Sequence, residues 1–295
     1  MKTRRSFLGM TAAAFAAAPF ASSPVFAQRR VPLGLQLYTV RADLAKDYEG
    51  TMRKLKDIGI RHVQANLAMA GKTSAEQRKL YDSMGMVWES IHAGGDGLRT
   101  NLQATIDEAK GVGIKNITCS FPLYPVDRAQ IMAGPTVDDW KRNADAFNKA
   151  GAACKAAGLS FAYHNHNHEF RVYDGVIAYD QLLKSTDPGL VKMELDCFWM
   201  TFAGKDPVEY MHKYPGRFPL LHIKGLKAGY KPTTGHFEGN PFTEVGNGVI
   251  DWKRIFEAAH RVGGLKHYYV EQDQWDRPAL ESAAISAAYL KKLQV

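Results

Sequence analysis

"TVDDWKRNADAFNKAGAACKAAGLSFAYHNH" spans residues 136–166 and holds one complete passage from helix to strand. The first part has helical periodicity and stops at Gly158, in the manner of a helix closed by a C′ glycine. A short apolar run follows at once, and it ends in polar residues, His164 and His166. A strand with an apolar body and a polar tip is what a buried parallel sheet with a functional edge requires.

The same alternation continues in both directions. Strands are predicted over 31–40 ("VPLGLQLYTV"), 60–66, 86–94, 114–122, 159–166, 191–200 ("VKMELDCFWM"), 218–225 and 267–275 ("HYYVEQDQW"). Helices are predicted over 47–59, 74–85, 99–113, 136–158, 177–186, 206–215, 250–263 and 277–293, with Gly59, Gly85, Gly113, Gly158 and Gly263 at helix ends. Eight β–α units in sequence predict an α/β fold, a single (β/α)8 TIM barrel over 28–295. The rival, a doubly wound open sheet, would carry a glycine-rich phosphate turn after an early strand, and none follows "LQLY". The glycine-rich stretch 226–248 then lies on the C-terminal face, where βα loops build active sites.

The 295 residues, 45% hydrophobic, suffice for a large core. Residues 1–27 are set apart from it. A basic start, an apolar stretch and Val25-Phe26-Ala27 form a cleavable leader, and Arg4-Arg5-Ser6-Phe7-Leu8 resembles the twin-arginine export signal of bacteria. The expected partner there is the twin-arginine export machinery, and the expected location is periplasmic or otherwise exported. Removing that leader takes Lys2, Arg4 and Arg5 from the formal +8 and leaves +5. A surplus of that size, without runs of Lys and Arg interleaved with aromatics, argues against a nucleic-acid partner. No later apolar segment is long enough for stable membrane insertion. Cys119, Cys154 and Cys197 are widely spaced and odd in number, so buried free thiols are expected; oligomerisation is left open.

Chemistry is expected where strand tips converge. Strand three ends in His92, strand five in His164 and His166, strand six carries Glu194 and Asp196, strand seven His222 and Lys224, and strand eight Glu271 and Asp273. Alternation puts the members of each pair on one face. One histidine or carboxylate from each of four consecutive strands is the make-up of a divalent-metal site, with Mn, Co, Fe, Mg or Zn as the ion. His168 is expected to be structural or exposed, and no chemistry is expected of most of His62, His212, His236, His260 and His267. Tyr38, Phe121, Trp199 and Trp275 near strand ends suit sugar rings or plain core packing.

"QLYTVR", "IHAG", "YHNHNHEF", "ELDCFW", "HIKG", "GNGVIDW" and "YVEQD" follow one another along the chain. In this order they resemble the sugar isomerase/epimerase family with the xylose-isomerase-like barrel, which also holds inosose dehydratases. The resemblance implies one divalent ion held by Asp196, His222 and Glu271, with His164 where the family commonly has Glu. It also implies acid–base work at Glu271, while His166 is the expected base, Glu169 its partner acid and Lys224 an oxyanion stabiliser. His92, Trp199 and Gln64, the last where many members carry Glu, are expected substrate contacts. The substrate class implied is a small carbohydrate. The reading is a metal-dependent isomerase or epimerase acting through an enediolate. The alternatives are a lyase or dehydratase eliminating from a keto-sugar or 3-keto-glycoside, favoured by His164, and a non-catalytic sugar-binding barrel.

Overall fold

The computed structural model describes residues 31–293. The leader expected over 1–27 lies outside the described residues. Eight parallel strands close into a barrel: β1 Leu33–Gln36, β2 His62–Ala65, β3 Val87–Ala93, β4 Asn116–Cys119, β5 Ser160–His164, β6 Val191–Asp196, β7 Leu220–Ile223 and β8 His267–Val270. Each strand pairs with its neighbours in chain order, and β8 returns to β1 through Leu33 opposite Tyr268 and Leu35 opposite Val270. The main helices follow one per strand: α1 Tyr48–Ile58, α2 Ser74–Ser83, α3 Leu102–Gly111, α4 Val137–Ala156, α5 Ala178–Ser185, α6 Pro207–Lys213, α7 Trp252–Ala258 and α8 Ala279–Leu293. No helix among the described residues is long and apolar enough to cross a membrane.

Local chemistry sets these boundaries. Thr73 with Glu76, and Thr136 with Asp139, form reciprocal capping boxes that open α2 and α4. Asp47, Asp206 and Asp251 cap α1, α6 and α7 through their side chains. Along α4, Trp140, Ala144, Phe147, Gly151 and Cys154 are buried at helical spacing and face the barrel. At Gly151 the helix passes so near the chain entering β6 that a Cβ would stand 2.6 Å from the Leu190 carbonyl oxygen.

Every strand is shorter than the apolar run predicted for it, and the difference at the C-terminal end is greatest in β1, β6 and β8. After Gln36 the chain turns into a 3-10 turn, Leu37–Val40, and after Asp196 into a short helix, Cys197–Phe202. The side chains of Gln36 and Asp196 accept hydrogen bonds from the backbone amides of Tyr38 and Trp199, which starts the turn in each case. Cys197 therefore lies on a helix and not in a strand. β8 stops at Val270, before Glu271 and Asp273. At the end of α7 the backbone widens into a π turn, Ala259–Gly263, so the left-handed residue is Gly264 (φ +81°) and not Gly263. All three cysteines are buried and free.

The two faces of the strands differ. Outward residues such as Leu35, Val63, Ile91, Ile117, Phe161, Leu195 and Ile223 are buried and pack in the large apolar core with the helices. The barrel interior holds a separate small apolar layer, Ala162, Leu220 and Tyr269. Above it the interior is polar: Gln36, Gln64, Ser90, Thr118, His164, Glu194 and His222 are each at most 2% exposed. Burying so many polar groups stabilises nothing by itself; each must find a partner.

One buried side chain fixes the loop after β4. Asn143 on α4 accepts from the amides of Leu123 and Tyr124 and donates to the Tyr124 and Asp139 carbonyls. Asn143→Ala leaves three loop groups unsatisfied and is expected to cost about 3 kcal/mol, read as a lower denaturant midpoint at unchanged slope.

Candidate active site and metal centre

The C-terminal ends of the strands converge on a cavity of about 370 Å³ lined by residues that include Gln36, Tyr38, His92, Phe121, His166 and Lys224. Register explains the convergence. His164 stands opposite Glu194 across the β5–β6 ladder, and Asp196 opposite His222 across β6–β7. Glu271 follows the last residue of β8. His164, Asp196, His222 and Glu271, all buried, each present one donor atom, and these atoms lie within 4.8 Å of one another. His164 Nε2 is 3.8 Å from Asp196 Oδ2, and His222 Nδ1 is 2.8 Å from Glu271 Oε2.

A second set lies deeper and shares both histidines: His92, His164, Glu194 and His222. The Glu194 carboxylate receives the Gln64 amide at 2.8 Å and approaches His222 Nε2 at 2.8 Å and His92 Nε2 at 3.0 Å. Sequence reasoning placed Glu194 on the inward face but gave it no role; only the three-dimensional meeting of β2, β3, β6 and β7 shows how central it is. Gln64 is part of this lower layer, accepting from Gln36 and contacting His222 Nε2 at 2.6 Å, and does not line the cavity.

Lys224, 1% exposed, reaches across the mouth to Glu271 at 2.7 Å, Asp273 at 3.1 Å and Asp196 at 3.2 Å. This charge pattern sets the protonation states. Burial pushes Asp196 up to about 7 even against Lys224. Burial would also neutralise His222, but Glu194 and Glu271 overcome it and hold the imidazole at about 10. Glu271 is buried too, yet Lys224 and His222 keep it well below the ordinary carboxylate range. His164 and His166 are driven well down, by burial and then by neighbouring positive groups. They are neutral, the form that ligates metals and accepts protons.

The donor set fits a divalent ion that would displace the proton Glu194 and Glu271 hold on His222. Asp196 Oδ2 is buried without a hydrogen-bond partner apart from its ionic contact with Lys224 and lies 3.8 Å from His164 Nε2, while His164 Nδ1, also unpartnered, approaches Glu194 of the deeper set at 3.9 Å. A mixed imidazole and carboxylate set of four suits a first-row divalent ion.

The other expected residues divide. His166 lines the cavity with a buried, unpartnered Nδ1, its ring on Phe121 (centroids 4.6 Å apart). Trp199 backs His166 at 5.6 Å and stands 5.4 Å from Lys224 Nζ, behind the lining. Glu169 is fully buried and turned away from the cavity, accepting from the Tyr163 hydroxyl at 2.6 Å and the His166 amide at 2.9 Å. It holds the His166 loop in place. Glu169→Ala is expected to cost about 3 kcal/mol, since both donors lose a buried partner, and to lower turnover through His166; thermal melts and kinetics on one preparation check both. His168 is buried beside it, 3.4 Å from Glu169.

The long segment after β7 packs against the aromatic residues behind the site. Its Phe242–Thr243 pairs antiparallel with Gly225–Leu226, and its Phe237 and Phe242 pack on Trp199 and Phe202. Asn167 donates to the Thr233 and Gly235 carbonyls and Arg171 to that of Thr234, so the segment is tied to the loop after β5.

Residues 52–293 match the family described as xylose isomerase-like TIM barrel. The chain belongs to this family. Inosose dehydratase from Clostridium perfringens is 28% identical over 165 residues, 52% of this chain and 55% of that protein. The chain thus matches about half the length of such curated relatives. A sugar phosphate isomerase/epimerase from Parabacteroides distasonis superposes with a TM-score of 0.72 at 26% identity, covering 93% of this chain and 98% of that one. The IOLI protein, solved with a binding zinc atom, gives 0.67 at 12% identity over 89% and 97%, a likeness of fold alone.

Proposed function

We propose that this protein is a divalent-metal-dependent isomerase or epimerase of a free sugar or sugar derivative. The observation that carries the reading is the meeting of His164, Asp196, His222 and Glu271, from four consecutive strands, at the floor of one sugar-sized cavity that His164 and Glu271 line together with His166 and Lys224. The isomerase/epimerase structural neighbour supports the same class. An ion held by those four residues supplies Lewis acidity toward a carbonyl and an adjacent hydroxyl.

The chain's own groups do the rest. Neutral His166, which lines the cavity, takes the proton from the carbon next to the carbonyl. Lys224, cationic between three carboxylates, stabilises the enediolate oxygen. Glu271, held ionised by Lys224 and His222, takes a hydroxyl proton from the substrate and returns it. Phe121 and Tyr38 offer ring faces to the sugar. The leader read in residues 1–27 supports a periplasmic or otherwise exported place of action.

Elimination from a keto-sugar or 3-keto-glycoside begins with the same proton abstraction. The inosose dehydratase relatives and the imidazole at position 164 favour this second reading. Incubation with free hexoses and with a keto-glycoside in D₂O, followed by NMR, tests both. Solvent deuterium at the carbon next to the carbonyl is expected, and the product distinguishes rearrangement from loss of a β-oxygen. Binding without exchange for every sugar would leave a sugar-binding barrel and sink the catalytic reading.

A further inference from the structure

The opposite, N-terminal mouth of the barrel carries a second gathering of ligating side chains. His62 and His267 are the first residues of β2 and β8, which flank β1 on either side. Their rings lie 5.7 Å apart, tilted by 37°. Gly34 of β1, opposite His62 in register, puts no side chain between them; a Cβ there would stand 2.6 Å from both the Tyr268 carbonyl and the Tyr269 ring.

The third member arrives through an irregularity. Val63 pairs with Trp88 but Gln64 pairs with Ser90, so Glu89 is an extra residue in β3. Such a bulge re-aims a side chain, and here the Glu89 carboxylate comes to 4.0 Å from His267 Nε2. One donor atom from each of His62, Glu89 and His267 lies within 4.8 Å of the others. His267 Nδ1 is in addition buried without a hydrogen-bond partner. Burial lowers the affinity of both rings for a proton, which leaves them in the ligating form.

We propose that His62, Glu89 and His267 form a second divalent-metal site, separate from the catalytic mouth, that takes a zinc-class ion with water in the remaining position. Two imidazoles and one carboxylate are a known donor set for such ions. Tetrahedral bonds of about 2.0–2.1 Å put donors roughly 3.3 Å apart, so the three groups close by about an ångström, which their partial exposure allows. The ion joins β2 and β3 to β8 across β1, the seam at which the first and last strands close the barrel. Its role is to hold that seam.

Zinc stoichiometry and zinc-dependent melting test this. The full chain is expected to bind two equivalents, and His62→Gln and Glu89→Gln one fewer. Glu89 is half-exposed, so its replacement keeps the test open if a histidine variant misfolds. In the Asp196→Asn background, where the catalytic-mouth ion is removed, added zinc is expected to raise the melting temperature by several degrees, and in Asp196→Asn with His62→Gln not at all. Equal zinc content in the folded wild type, His62→Gln and Glu89→Gln overturns the proposal. So does a zinc-dependent rise that survives in the double variant. Neither readout depends on a sugar substrate, so failure of the proposed activity leaves this test standing.

Discussion

Asp196→Asn is expected to lose the bound divalent ion and turnover on the order of 10³-fold while the fold survives. The retained amide oxygen still caps the Trp199 amide, the local contact that Asp196 Oδ1 makes, so the turn after β6 keeps its geometry. What disappears is the negative charge at Oδ2, next to His164 and Lys224. Metal assistance contributes several kcal/mol to stabilising developing charge, and about 4 kcal/mol corresponds to the thousandfold loss. Metal content by elemental analysis, together with deuterium exchange from solvent, gives the two readouts. Unchanged metal with unchanged exchange would move the ion to the deeper set of His92, His164, Glu194 and His222, and Glu194→Gln would then carry the loss.

Lys224→Met is expected to be the most destabilising single change at the site. The ammonium group is the shared cation for Asp196, Glu271 and Asp273. Burial already pushes Asp196 and Asp273 toward their protonated forms, so the mouth tolerates its charges only while the lysine remains. Removing one partner of a buried ionic group costs about 3–5 kcal/mol, which for a chain of this size lowers the melting temperature by about 6–20 °C. A saturating divalent ion is expected to restore much of the loss, because it supplies positive charge to two of the same carboxylates. A variant that melts with the wild type, with and without metal, would show that the lysine does not hold the mouth together.

Much of this was legible before any coordinates. The period of the apolar runs and the glycines between them carry the barrel; alternation along β5 to β8 puts His164, Asp196, His222 and Glu271 on the inward face together with His166, Glu194, Lys224 and Asp273, and the family resemblance singles out the four. Two kinds of feature were not legible. Strand ends at Gln36 and Asp196 were overrun because the apolar run continues unbroken into a turn, and the stop is made by a side chain bonding two or three residues ahead. Side chains that meet only through a register shift were also hidden. His62 and His267 read as strand starts without chemistry, since neither their spacing nor their neighbours reveals that the bulge at Glu89 brings a carboxylate to them. Glu169 reads as an acid in a loop, and only the Tyr163 hydroxyl beneath it shows that it is a structural anchor.

The bonds from Asn167 and Arg171 to the carbonyls of residues 233–235 have a further consequence for how substrate preference in this barrel can change. The two loops form one structural unit: a graft of 226–248 from a relative would lose three latches at once unless its carbonyls met Asn167 and Arg171 in the same places. New specificity is thus easier to reach by exchanging both loops together, or by point changes at Tyr38 and Phe121, whose backbones the latch does not hold.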